Sequence, residues 1–159
     1  MLLTKHYPAV VIRKEICLNI RFLKGFINNI DRQLFLMPDV NNKILIVEDE
    51  EIISQIIGMH LKKLGYTISG IATSGKDAIT LTNTTRPDAI LMDIFLDGEM
   101  DGIKAAKIIR EKFETPIIFL TAYSDDKILE RIRTIASAHY ILKPFNNDDL
   151  RIALKLSLG

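Results

Sequence analysis

Cys17 is the sole cysteine among 159 residues, so no internal disulfide forms, and no second Cys or His stands at metal-ligand spacing from it. A chain without disulfides belongs in a reducing compartment. No uncharged run approaches the ~18 apolar residues of a membrane span. Lys5 is followed only by HYPAVVI before Arg13-Lys14-Glu15 interrupts, which makes a poor secretory signal. A glycine-rich phosphate loop is missing, because Gly98 and Gly102 lack its spacing, and the basic start of the chain has no helix-turn-helix pattern. These absences lead to the expectation of a soluble, cytoplasmic protein that does not bind nucleic acid.

What is present suffices for one core, with 48% hydrophobic and 26% charged residues. The net charge of +1 hides a division: residues 1–36 hold six Lys or Arg against two acids and carry +4, leaving −3 for the rest. Met37-Pro38-Asp39 and Asn41-Asn42 form a polar break, and the boundary is placed there, giving pieces 1–36 and 37–159. In the first piece Ile12, Ile16, Ile20, Leu23, Ile27, Ile30 and Leu34 recur every three or four residues. Such a basic amphipathic stretch can lie on an anionic membrane or pack against a partner. Gly25 and Asn28-Asn29 weaken a helix there, and the alternatives are a loosely ordered tail or sequence upstream of a start at Met37.

From Lys43 onward short apolar runs alternate with helical periodicities. Strands are predicted at Ile44–Val47, Tyr66–Ser69, Ala89–Met92, Ile117–Leu120 and Tyr140–Leu142. Helices are predicted from about Ile52 to Gly65, from a Ser74 cap to before Pro87, over Gly102–Phe113, from a Ser124 or Asp125 cap through about Ile135, and over Asp148–Leu158. Five strands alternating with five helices predict an α/β, doubly wound, open parallel sheet.

In such sheets ligands bind beyond the carboxyl ends of the strands, where this chain places polar residues. The first strand runs into Glu48-Asp49 and then Glu50-Glu51; the third ends at Asp93, the fourth at Thr121, and the fifth at Lys143-Pro144. Clustered carboxylates raise one another's proton affinity unless a cation joins them, and a hard divalent ion with oxygen ligands suits the set. Taken singly, Glu48–Glu51 is an ordinary acidic helix start, Thr121 a strand residue, Lys143 a surface lysine and Tyr140 a packed ring. His60 and His139 fall outside every motif and read as helix-surface and strand-flanking residues.

ILIVEDE, LMDI, LTA and YILKPF, in this order and at these separations, resemble the signature of the response-regulator receiver domain of two-component signalling, over residues 43–157. The resemblance implies a flavodoxin-like sheet of strand order 2-1-3-4-5. It makes Asp93 the phosphoacceptor, and Glu48, Asp49, Asp93 and the backbone carbonyl of Phe95 the ligands of Mg²⁺. Lys143 would pair with Asp93 and then with the phosphoryl group, beside a cis Lys143-Pro144 bond. Thr121 would be the switch hydroxyl and Tyr140 the switch aromatic. The implied partners are a sensor histidine kinase or phosphotransfer protein and a downstream protein bound to the face of the fourth helix, fifth strand and fifth helix. Such a protein catalyses only its own phosphotransfer and slow self-dephosphorylation. The loop IFLDGEMDG departs from the common pattern: Asp97 stands where many receivers have proline, and Gly102 comes one residue later. Phe95 and Tyr123 would flank the path of a hydrolytic water. With the chain stopping after the last helix, a single-domain regulator acting by protein contact is expected. The competing readings are a phosphorylation-independent interaction module and a Mg²⁺-dependent phosphohydrolase.

Overall fold

The computed structural model describes residues 41–122 and 125–159; the stripe at residues 12–34 and Tyr123 lie outside the described residues. The elements run β1 Lys43–Val47, α1 Glu51–Lys63, β2 Thr67–Ala72, α2 Gly75–Thr85, β3 Ala89–Asp93, α3 Gly102–Lys112, β4 Ile117–Thr121, α4 Asp126–Arg133, β5 Ala138–Leu142 and α5 Asn147–Leu158. All strand pairs are parallel, in the expected order β2-β1-β3-β4-β5. β3 and β4 are buried along their whole length, which is why they read as continuous apolar runs.

Strand alternation divides the core in two. Leu45, Val47, Ile90, Met92, Phe119 and Tyr140 face α2, α3 and α4, meeting Ala78, Ile103, Ile109, Leu129 and Ile132. Ile44, Ile46, Leu91, Ile118, Leu120 and Ile141 face α1 and α5, meeting Ile57, Leu61, Leu150, Ala153 and Leu154. The helix starts follow local chemistry. Ser74 accepts from the Asp77 amide, Asp101 from that of Lys104, and Asp125 from that of Lys127, so Asp125 takes the cap at α4. Asn146 and Asp149 form a reciprocal capping box that starts α5.

Three boundaries differ from expectation. β2 begins at Thr67 and continues to Ala72, through Gly70, because it pairs along β1 across a register irregularity at Ile44/Leu45 and its last carbonyl accepts from the Glu48 amide at 2.9 Å. Tyr66 instead closes the end of α1, its amide donating to the Leu61 carbonyl at 3.0 Å. α4 stops at Arg133, where Thr134 is the cap, and β5 starts at Ala138, paired with Ile117. His139 thereby lies inside a strand rather than beside one, 7% exposed under the α1/α5 side.

Candidate functional site

The strand order reverses between β1 and β3, and the crevice at such a switch point is where open α/β sheets bind ligands. Asp93 ends β3 there, 7% exposed, and Glu48 follows β1 at 1% exposure. Lys143, following β5, reaches back across β4 to both carboxylates. Its ammonium donates to Glu48 Oε2 at 2.9 Å and, in a shorter contact, to Asp93 Oδ2. The strands hold the anions and the turn after β5 supplies the cation, so no single segment could make this arrangement.

Each remaining carboxylate oxygen has a donor. Asp93 Oδ1 accepts from the Phe95 amide at 3.0 Å, and Glu48 Oε1 from the Glu50 amide at 3.4 Å. Asp49 Oδ2 accepts from the Asp97 amide at 3.2 Å, which ties the long β3–α3 loop to the acidic rim. Electrostatics follow from burial. Desolvation pushes Glu48 up to about 7 against the opposing pull of Lys143, with the Asp93 charge adding to the rise. Burial works against the Lys143 cation, but its bonds to Asp93 and Glu48 outweigh that and hold its pKa above the ordinary lysine value. The pocket thus contains a fixed cation clamped by two carboxylates, one of which is poised near neutrality.

Thr121 is fully buried at the end of β4, and its carbonyl accepts from the Lys143 amide at 2.7 Å. The Lys143-Pro144 bond is cis, as the resemblance implied. Tyr140 lies in the buried cluster that includes Leu129 and Ile132 of α4. Phe95 is 52% exposed beside Asp93.

Two contributors escaped the sequence reading. The amide of Gly102, first residue of α3, donates to the Ile94 carbonyl at 2.9 Å, and a Cβ on Gly102 would collide with the carbonyl oxygen of Asp93 itself. Only glycine lets α3 abut the acidic strand end so closely. Met100 in turn packs against Gly75 at the start of α2, where a Cβ would come within 2.9 Å of its side chain, anchoring the loop that carries the Asp97 amide. The sequence marks Gly102 only as the glycine of the family loop and as a helix start, and nothing in it signals the contact of Met100 with Gly75.

Asp49, Asp93 and Glu48 offer only oxygen donors, the chemistry a hard divalent cation prefers. Among the described residues no three acidic, His or Cys side chains close around one point. An ion such as Mg²⁺ takes one or two carboxylates and keeps several waters, so the all-oxygen chemistry of this set is compatible with it.

A doubly wound sheet of order 2-1-3-4-5 with a carboxylate–lysine crevice at its switch point defines the flavodoxin-like class of this protein. Within that class the chain belongs to the response regulator receiver domain family, whose model matches residues 44–155. It is 37% identical over 120 residues to the transcriptional regulatory protein PdtaR of Mycobacterium tuberculosis, covering 76% of this chain and 58% of that one. The chain thus spans little more than half the length of this curated relative. Among solved structures it is similar to the signal receiver domain of a modulated diguanylate cyclase from Desulfovibrio desulfuricans G20, with 30% identity, TM-score 0.69, and coverage of 76% of this chain and 94% of that one. It is also similar to the anti-anti-sigma factor PhyR of Bartonella quintana, with 28% identity, TM-score 0.70, and coverage of 87% and 55%. The protein contains the receiver domain of a response regulator, the module of two-component signalling. No helix among the described residues is long and apolar enough to cross a membrane.

Proposed function

We propose that this protein takes a phosphoryl group from a phosphohistidine of a sensor kinase or phosphotransfer protein onto Asp93, and passes the signal on by protein contact. The observation that supports this most is the Lys143 ammonium held on Asp93 and Glu48 at the switch-point crevice. An Asp93 carboxylate oxygen attacks phosphorus, an O–P bond forms, the P–N bond breaks, and its electron pair returns to the imidazole nitrogen. The obstacle is the meeting of two anions. Lys143 answers it by remaining cationic and moving its bond from the carboxylate to a phosphoryl oxygen, while the Phe95 amide steadies Asp93 Oδ1. A bound Mg²⁺ would supply the charge neutralisation that the lysine alone cannot.

The Thr121 hydroxyl, at the end of β4, responds to the phosphoryl group, and Tyr140 and α4 adjust with it. The face of α4, β5 and α5 then presents the altered surface to a downstream protein. Water later reverses the acyl phosphate bond, so the protein works as a cytoplasmic relay and not as a turnover enzyme. PdtaR is named a transcriptional regulatory protein, whereas the output proposed for this protein runs through protein contacts.

Intact-mass measurement with Mg²⁺ and acetyl phosphate tests this. One added phosphoryl group, lost in Asp93→Asn and on removal of the metal, is the expected result. Folded protein that remains unmodified by the donor and by a panel of histidine kinases would overturn the reading in favour of a phosphorylation-independent interaction module.

A further inference from the structure

Lys143 reaches the crevice from farther off than its partners do. Glu48 and Asp93 stand at the ends of β1 and β3, which are neighbours, while Lys143 follows β5 with β4 between. Its ammonium is therefore placed by whatever holds the turn from Lys143 to Asn147. At the start of that turn the Lys143 amide donates to the Thr121 carbonyl at 2.7 Å. Pro144 and Asn146 are exposed. Asn146 caps α5, which shapes the first turn of that helix without fixing its distance from the crevice.

The far end of the turn is met by one side chain of α1. His60, half-buried, donates from Nδ1 to Oδ1 of Asn147, the first residue of α5, in a short hydrogen bond. The same imidazole stands edge-on to the ring of Phe145, with centroids 6.5 Å apart and planes at 65°. Both contacts fall within four residues of Lys143. The tie also joins a telling pair of segments. α1 begins at Glu51, three residues after Glu48, so His60 links the segment that follows Glu48 to the segment that follows Lys143. Those segments meet a second time in the 2.9 Å pair of Lys143 with Glu48. α1 and α5 already share apolar packing through Ile57, Leu61, Leu150 and Leu154. That packing holds the helices together but is non-directional, whereas a hydrogen bond from His60 sets where along α1 the turn sits.

We propose that His60 is a positioning residue for Lys143: through Asn147 and Phe145 it holds the β5–α5 turn where the ammonium reaches Asp93 and Glu48. The effect on phosphoryl transfer rests on the proposed function. The placement of the ammonium does not, and it has its own readout. Misplacing a positioned group by about 1 Å can cost up to about 10²-fold in rate, and the Thr121 bond still holds one end of the turn, so loss of His60 should cost about tenfold.

The test uses the full-length protein labelled with ¹⁵N, in which the paired Lys143 ammonium gives a signal protected from exchange and identified by its loss in Lys143→Arg. His60→Ala and Asn147→Ala should each shift or broaden that signal. Each should also lower the limiting rate of phosphorylation by acetyl phosphate about tenfold, with the half-saturating donor concentration unchanged. The double variant should be no worse than either single one, because both remove the same bond. His60→Gln, whose amide can donate to Asn147, should restore most of the signal and the rate. Should His60→Ala fail to fold, Asn147→Ala carries the test, since alanine suits a first helical turn. A Lys143 signal and limiting rate like the parent's in the folded variants, even with lowered stability, would overturn the proposal, and so would additive losses in the double variant. If the parent itself takes up no phosphate, the proposed function fails while the ammonium signal still decides the role of His60.

Discussion

Replacing Lys143 by alanine removes the cation from between Glu48 and Asp93 and leaves two carboxylates in the crevice, 1% and 7% exposed. Deleting one partner of a buried pair costs about 3–5 kcal/mol, and the lysine side chain is 21% exposed, which points to the lower end, about 3 kcal/mol above neutral pH. For the described fold that corresponds to a drop in Tm of roughly 10 °C. The cost has a definite pH dependence. Glu48 is raised from 4.5 to about 7 by burial, so between those values the folded state binds more protons than the unfolded state, and stability falls as pH rises. Without Lys143 the bond and charge that hold Glu48 down are gone, its folded pKa climbs further, and this window widens upward. The deficit of Lys143→Ala should therefore be largest at pH 8 and shrink toward pH 5, where Glu48 is protonated in the folded state of parent and variant alike. A divalent cation should stabilise the variant more than the parent, since it takes over the neutralising role. Urea denaturation across pH 5–8, with and without Mg²⁺, measures all three. A deficit under about 0.5 kcal/mol at pH 8, or one that does not change with pH, would refute the reasoning.

Further outcomes follow from individual contacts. Gly102→Ala should cost about 1–3 kcal/mol in chemical denaturation, because the added methyl meets the backbone of Asp93 rather than a side chain able to rotate away. Asp101→Ala removes the α3 cap and should cost about 1 kcal/mol. Arg131→Gln breaks only the 2.6 Å pair with Asp101 between groups 45% and 30% exposed and should cost less than that; equal losses in the two variants would show that the ion pair, not the cap, dominates. His139 is buried with no partner for Nδ1 among the described residues, and burial lowers its pKa below 6.5. Its contribution to stability is therefore full above 6.5 and is lost as pH falls below it, so His139→Phe should flatten the acid limb of the stability profile between about pH 6.5 and the onset of carboxylate protonation. An unchanged limb would contradict this.

The alternation of apolar runs with helical stripes made the sheet legible, because parallel strands covered on both faces must be continuously apolar. β3 and β4 met that condition and their bounds agreed within a residue. β2 and β5, the outer strands, were read short: β2 carries Ser69 and Gly70, and β5 begins with Ala138-His139, so neither start nor end stood out from its neighbours. The acidic and lysine positions were legible because each ends an apolar run. Which atoms they touch was not. The second anchor of Lys143 on Glu48, the Asp97 amide on Asp49 and the seat of Gly102 on the Asp93 carbonyl all join residues tens of positions apart or depend on backbone approach, which residue spacing does not encode.

The account turns on Asp93, and chemical trapping of the modified residue tests it most directly. The protein is treated with Mg²⁺ and a small phosphodonor, reduced with borohydride, which converts an acyl phosphate to the alcohol, and mapped by peptide mass spectrometry. The account predicts homoserine in place of aspartate at position 93 and nowhere else. Trapping at Glu48, Asp49 or another carboxylate while Asp93 stays intact would contradict it.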